Sequence, residues 1–420
     1  MNKPDAILLI GAGALQVPLV REAQALGLLP LVTDGNPHAP AFRLPGVQPF
    51  VVSTIDVDGH RELTHDLVRQ YHVLGVCTAG ADVAPTVAAA AEVAGTPGIQ
   101  FEVAERTHNK AKVRYALLTA GLSGYQPQWF VSTGSHPSAD AFAQDIILGG
   151  FPIIIKPLQE RASRGINIVA TRGAMSPAIA KACAYGEGAC IIEQYLTGTE
   201  HSAEGIFGTD GSLLWFNIVD RFFDYSSGVP IEEGHVNPSA LVPLRRAAVY
   251  RMFLDVAHAL GVVWGPFKID ALITPEGDPK VLECTARLSG GWDCQGTSPW
   301  TGRQPMRALL QLACSLPVDA PLTWTPLQGY AACAAILPEK TGVPEKTGVV
   351  QALPTRWPQM VMSYPQEVLW AVKPGDVLGS IEHNAQRSGF VLAHAHTYAD
   401  AWQRAQSAAQ ALAAAVEVAP

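Results

Sequence analysis

The chain has 420 residues, more than one ordinary hydrophobic core holds, so two or three domains are expected. Hydrophobic residues make up 48% and charged residues 16%, which excludes a disordered chain; the net charge of −8 argues against general nucleic-acid binding but leaves room for a local basic pocket. Seven cysteines with no CxxC pair argue against a disulfide framework or a zinc site, and fit a reducing cytoplasm. No apolar run reaches the roughly 18 residues of a membrane helix.

Lys3 and the apolar residues 6–10 read as a buried first strand rather than a signal peptide, because Gly11 and Gly13 follow at once. A helix is expected over 15–26, stopped by Gly27, then a strand at 31–33 ending on Asp34. A strand at 73–78 and a helix at 83–94, closed by Gly95, continue the alternation. Such alternation predicts an open parallel sheet, an α/β domain at about 1–104. Gly11-x-Gly13 with Asp34 matches part of a dinucleotide fingerprint. Gln16 stands where the third glycine belongs, so the first turn of any doubly wound sheet explains the pattern more simply.

Further on, a helix is expected over 110–120, and strands at 129–132, 151–157, 166–170, 190–195, 201–207 and 213–219. A helix at 247–260 precedes two strands, 268–274 and 280–284, joined by a turn. These runs predict an α+β middle domain at about 105–316. Prolines 317, 321 and 326 mark a linker to a small mixed domain at 317–420. That section carries a tandem Pro-Glu-Lys-Thr-Gly-Val repeat at 338–349, expected as an exposed loop or hairpin, and Thr397-x-x-Asp400 capping a helix to about 416.

Several residues carry candidate chemistry. Lys156 follows three isoleucines at a strand end, where a lysine must meet an anion or reach water. Ser163, Arg164 and Gly165 add backbone donors and positive charge suited to polyphosphate; each alone reads as surface. Glu193, Gln194, Tyr195 and Leu196, with Glu200 beyond, fit an adenine slot and a ribose carboxylate, or a plain strand pair with surface glutamates. Asp270 and Glu283 lie on strands joined by a tight turn, where cross-strand pairing brings them close. Two carboxylates on one sheet face repel unless a cation lies between them, and magnesium bridging to phosphates is the usual reason. Arg287 adds a planar cation, and residues 288–291 a backbone-rich loop for an anionic group.

The remaining candidates are lesser. Glu232, Glu233 and His235 face an acceptor or form a plain loop, and Trp292 is expected to line a pocket. Cys284 and Cys294 lack a base at a telling spacing. His394 and His396 alternate onto one side of a strand without an evident third ligand for zinc.

In this order, the residues resemble the ATP-grasp superfamily over about 1–316 and more loosely beyond. Asn109-Lys110-x-x-x-Arg114 resembles the start of the family's nucleotide domain, Lys156-Pro157 its second phosphate lysine, and Lys268-x-Asp270 with Glu283-Cys-Thr-Ala-Arg287 its metal region. The resemblance implies a Rossmann-like pre-ATP-grasp domain, a two-part ATP-grasp domain and a small C-terminal domain. It implies ATP bound by Lys110, Lys156, Ser163, Arg164, Gly165, Glu193, Gln194, Tyr195, Leu196, Glu200 and Lys268. One or two Mg2+ ions, replaceable by Mn2+, would sit at Asp270 and Glu283. Thr285 stands where the family commonly has the asparagine of the second ion. Arg287, Lys156 and Gly290 would be catalytic, with the glycine loop facing an oxyanion.

The implied reaction activates a small carboxylate as an acyl phosphate and joins it to an amine, releasing ADP and phosphate. Small-molecule substrates are its expected partners, with no nucleic acid or membrane, and a homodimer is common among similar proteins. Competing readings are bicarbonate activation to carboxyphosphate, a nicotinamide-dependent oxidoreductase built on Gly11, Gly13 and Asp34, and a non-catalytic nucleotide sensor.

Overall fold

A computed structural model describes residues 3–133, 150–160, 162–319, 322, 329–338, 347–354 and 366–419. The chain opens with β1 (Asp5–Ile10), β2 (Leu29–Asp34), β3 (Gln48–Val51) and β4 (His72–Cys77) in a parallel sheet of order β3–β2–β1–β4. Residues 6–10 are all buried, as a strand sandwiched between helix layers requires. The edge strand β3 and the helix Val57–Gln70 escape the sequence pattern. Gln-Pro-Phe-Val is mostly exposed at the sheet edge, and the helix is polar on most sides, although Asp56 caps it by accepting from the Gly59 amide.

A second, antiparallel sheet comprises β5 (Trp129–Ser132), β6 (Ile153–Pro157), β7 (Asn167–Val169) and β8 (Cys190–Gln194), ordered β5–β8–β6–β7. The helix Met175–Tyr185, also unanticipated, packs Met175, Ile179 and Ala182 on Ile153, Ile155 and Val169. Its buried positions 175, 178, 179 and 182 do follow the helical period, but two of the four are alanines, so the apolar stripe stands out weakly from the rest of the segment.

The remaining strands are β9 (Thr199–Phe207), β10 (Leu213–Asp224), β11 (Ile231–Asn237), β12 (Gly265–Ile273), β13 (Pro279–Thr285), β14 (Tyr330–Ile336), β15 (Gly348–Ala352), β16 (Gln366–Trp370), β17 (Val377–Leu378), β18 (Gly389–Ala395) and β19 (Glu417–Ala419). Eight of them form one sheet ordered β13–β12–β9–β10–β11–β14–β18–β16. This sheet runs straight across the expected boundary at 316/317, because β11 pairs antiparallel with β14. The C-terminal section therefore extends the central sheet rather than packing beside it. Strands β15, β17 and β19 make a small separate sheet. Residues 339–346 of the tandem repeat lie outside the described residues, and its last two residues begin β15.

Among the described helices, two cover much of the large sheet. The helix Pro243–Leu260 buries Val249, Met252, Phe253, Val256 and Leu260 against Ile269, Ala271 and Val281. The helix Tyr398–Ala415, capped by Thr397 accepting from the Asp400 amide, lays alanines 401, 405, 408, 409 and 413 on β14 and β18. Its small side chains allow a close approach to strands that are themselves rich in alanine.

Phe253 is fully buried, with its ring 6.0 Å from Phe207, 5.0 Å from Phe216 and 5.3 Å from Phe267. Phe253→Ala should lower unfolding free energy by about 3–5 kcal/mol, read by chemical denaturation. A loss under about 1 kcal/mol would place the core elsewhere.

Candidate functional site

A cavity of about 350 Å3 opens between the small antiparallel sheet and the large one. Its size is in the range of small-ligand sites. The two-residue period of strands builds one wall: Glu200 and Ser202 from β9, Val219, Arg221 and Phe223 from β10, and Lys268, Asp270 and Leu272 from β12. Ile154, Lys156, Glu193, Gln194, Tyr195 and Leu196 come from the small sheet and the segment after it. Lys110 enters from the helix Lys110–Thr119, and Gly80 and Asp82 come from the loop after β4. Asn384, Ala385 and Arg387 reach in from the C-terminal section.

Strand register sets the carboxylate pair. Asp270 lies directly opposite Glu283, with a bulge immediately after it. Each already meets cations. Asp270 bonds to Lys268 and receives Arg221 Nη1 at 2.8 Å; Glu283 receives Lys110 Nζ at 2.9 Å. Burial opposes the charge on Asp270, but Arg221 and Lys268 hold its carboxyl below the usual range. Arg221 Nε also donates to Glu232 at 2.9 Å, and Arg387 approaches the other Glu232 oxygen at 3.3 Å. Burial opposes that charge too, and the two guanidiniums depress Glu232 strongly.

Glu193 behaves differently from a hinge residue with a surface side chain. Its carboxylate is buried and receives Arg114 Nε and Lys156 Nζ, each at 2.7 Å. Burial alone would raise its pKa, but Arg114 and Lys156 outweigh it and bring the group to about 2. Glu200 shows the opposite balance. Burial pushes it up to about 7 against the pull of Arg221, and Tyr225 donates its hydroxyl to it.

The residues expected from sequence are sorted by the fold. Lys110, Lys156, Ser163, Glu193, Gln194, Tyr195, Leu196, Glu200, Lys268, Asp270, Glu283, Arg287 and Gly290 all line the cavity. Arg164, Gly165 and Thr285 do not. Gly165, at φ +68°, packs against Pro157 and Tyr185, and Thr285 donates to Asp82 at 3.2 Å. Asp82 also receives Arg287 Nε at 2.6 Å, fixing that guanidinium from the first domain. The loop after Arg287 is held by the same domain. Leu288 bridges Ala79, and Gly290 lies so close to Gly80 that a Cβ on it would come 3.3 Å from the Gly80 carbonyl oxygen.

Of the lesser candidates, Glu232 and His235 line the cavity and Glu233 does not. Trp292 is not a lining residue; it packs with Cys333 and Leu392, and its neighbour Asp293 faces the site instead. Burial pushes the thiols of Cys284 and Cys294 up, against a nucleophilic role. The His394 and His396 rings lie 6.5 Å apart, and among the described residues no cluster of three metal-ligating side chains forms. Gln16 lies over Gly11 and Gly13, and Asp34 accepts from the Ala12 and Asn36 amides, both 2.9 Å, so this turn is closed by its own side chains.

Sequence reasoning missed Arg221, Asp82, Asn384 and Arg387. Arg221 left a signal, a charged Asp-Arg step inside the apolar run of β10. The others contact residues more than 150 positions away and leave no local pattern.

Two facing carboxylates on a cavity wall suit a hard divalent cation. Mg2+ takes one or two protein carboxylates and completes its shell with water and phosphate oxygens. Asp270 and Glu283 are the residues that fit it.

Glu193 gives a test. Its folded pKa is about 2, below its reference value of 4.5, so its stabilisation is complete above about pH 4.5 and fades as pH falls towards 2. The contribution is on the order of 3 kcal/mol. Glu193→Gln should destabilise the protein at pH 7 and flatten the acid side of its stability profile, measured by thermal melts across pH. An unchanged profile would mean that the ion pair is not formed.

Residues 149–295 match the family model described as an ATP-grasp domain, and residues 343–417 match L-amino acid ligase C-terminal domain 2. The D-alanine–D-alanine ligase of Anaeromyxobacter sp. (strain Fw109-5) is 25% identical over 134 residues, 32% of this chain and 43% of that protein. The vancomycin C-type resistance protein VanC1 of Enterococcus gallinarum is 29% identical over 142 residues, 33% of this chain and 40% of that one. The chain thus spans less than half the length of these curated relatives. In structure, it resembles the L-amino acid ligase of Bacillus licheniformis, with TM-score 0.74, 22% identity and 95% of each chain covered. It also resembles phosphoribosylglycinamide synthetase of Anaerococcus prevotii, with TM-score 0.73, 15% identity and 99% and 100% covered.

Proposed function

The chain carries an ATP-grasp domain, and from that premise we propose that it is an ATP-dependent ligase joining an amino-acid carboxylate to an amine, with release of ADP and phosphate. The observation that carries this reading is the register pair Asp270–Glu283, ringed by Lys110, Lys268 and Arg221, with Lys156 and Arg287 on the same cavity. The amino-acid class is supported by the C-terminal family match and by the names of the relatives.

The chemistry follows from the leaving group. A carboxylate would have to expel oxide, whereas an acyl phosphate expels phosphate. Tyr195, Leu196, Ile154 and Leu282 offer an apolar slot for the base, and Glu200 a carboxylate for ribose hydroxyls. Lys110 and Lys156 offset charge on the transferring phosphoryl group, each exchanging part of its carboxylate pairing for phosphate oxygens. Asp270 and Glu283 would hold Mg2+, which would neutralise phosphate charge and orient the transfer. Arg287, fixed by Asp82, anchors the substrate carboxylate beside the Gly290–Gly291 backbone, whose amides are suited to a developing oxyanion, while the Ser289 amide is taken by the Glu204 carboxylate at 2.8 Å. Glu232 and His235 lie on the same wall and are placed to meet an ammonium group. The incoming ammonium loses one proton to solvent; the free amine then attacks the acyl carbon, the C–O bond to phosphate breaks, and the departing phosphate takes the second proton as the amide forms.

Hydroxylamine trapping with ATP and a panel of amino acids should yield a hydroxamate for the true carboxylate substrate, detected with ferric chloride. ADP release that needs only bicarbonate would instead indicate carboxyphosphate formation. Glu283→Ala should reduce ADP formation by at least about a hundredfold with the fold retained by circular dichroism. Undiminished turnover in that variant would remove the metal assignment.

A further inference from the structure

The loop 162–165 carries two non-glycine residues in the left-handed region, Ala162 at φ +56° and Ser163 at φ +63°. Each is unfavourable for an L-residue, and consecutive residues there persist only where surroundings fix them. The fixing contacts come from the far end of the chain. The Asn384 amide donates to the Ala162 carbonyl at 2.9 Å, and Asn384 Nδ2 donates to Ser163 Oγ at 2.8 Å and to the Pro230 carbonyl at 3.3 Å. Its Oδ1 accepts from the Glu232 amide at 2.8 Å. The Ser163 hydroxyl in turn donates to the Pro230 carbonyl at 3.0 Å. Asn384 is 8% exposed, so each of its polar groups is paired where water hardly competes. Arg387 completes the arrangement by donating to the Asn384 carbonyl at 2.8 Å while its other end approaches Glu232.

We propose that Asn384 is a positioning residue, a clasp by which the C-terminal section fastens the loop 162–165 of the small sheet over the cavity and ties it to the strand bearing Glu232. Asn384 lies within the C-terminal family match, outside the ATP-grasp match that contains the loop. Closure over the phosphate end is thereby coupled to the wall that meets the amino-acid substrate. A fastened loop keeps water from an acyl phosphate; a released one lets the backbone leave its left-handed conformation and open. What the clasp closes over rests on the ligase reading. The clasp itself rests on the hydrogen bonds and the backbone strain.

The test uses the full chain without nucleotide or amino acid, so its outcome is independent of any ligase activity. Limited trypsin digestion followed by mass spectrometry reports cleavage after Arg164 in the loop and after Arg69 in the exposed helix Val57–Gln70 of the first domain. When reclosing is fast, such cleavage tracks the open population. Asn384→Ala and Ser163→Ala should each speed cleavage after Arg164 by roughly tenfold, with the rate after Arg69 unchanged. The double variant should accelerate cleavage by less than the product of the two singles, because both remove the bond between Asn384 Nδ2 and Ser163 Oγ. Unchanged cleavage after Arg164 in both single variants would overturn the proposal. So would equal acceleration at Arg69, which means global unfolding, or a double variant whose effect is the product of the two.

Discussion

The buried carboxylate of Glu193 is the interaction on which the site depends. It lies between Arg114 and Lys156, and Arg114 also donates Nη2 to the Leu282 carbonyl at 3.0 Å. One guanidinium therefore joins the small sheet, through Glu193 on β8, to the large sheet, through β13. Lys156 is aimed by the same carboxylate. Removing one partner of such a pair leaves an uncompensated buried charge, a far larger penalty than the pair's net stabilisation. The arrangement thus fixes the geometry of two sheets relative to each other more than it stabilises either.

The cavity extends this logic. Its cations are already held by carboxylates: Lys110 by Glu283, Lys268 and Arg221 by Asp270, Arg387 by Glu232, Arg287 by Asp82. Preorganised charges of this kind would need little reorganisation to meet an anionic ligand, because each lysine or arginine would move only between neighbouring oxygens. The first domain contributes through Asp82 and the close approach of Gly80 to Gly290, so it shapes the Arg287 end of the cavity although its own glycine turn is closed by Gln16.

The C-terminal section belongs to this machinery. Pairing of β11 with β14 makes it a continuation of the large sheet, and that continuity delivers Asn384 and Arg387 to the cavity rim. A section docked only through a loose interface could not hold side chains to hydrogen-bond precision; a shared strand ladder can.

Much of this was written locally in the sequence. The buried run of β1 and the register of Asp270 with Glu283 follow from a continuous apolar run and a tight turn, which act over a few residues. Lys156 after three isoleucines left a choice between an anion and water, which the buried Glu193 carboxylate decided. The edge strand β3 and the alanine-rich helix Met175–Tyr185 were not legible, because one is exposed and the other marks its buried stripe partly with alanines, which differ little from their neighbours. Tertiary structure alone decided what the charges do. Glu193 became a clamp rather than an open hinge, Thr285 and Asp82 met around Arg287, and Asn384 reached a loop 221 residues away. Local sequence fixes which face of a strand a side chain takes, but a charge acquires its role only from the partner that folding brings within about 3 Å.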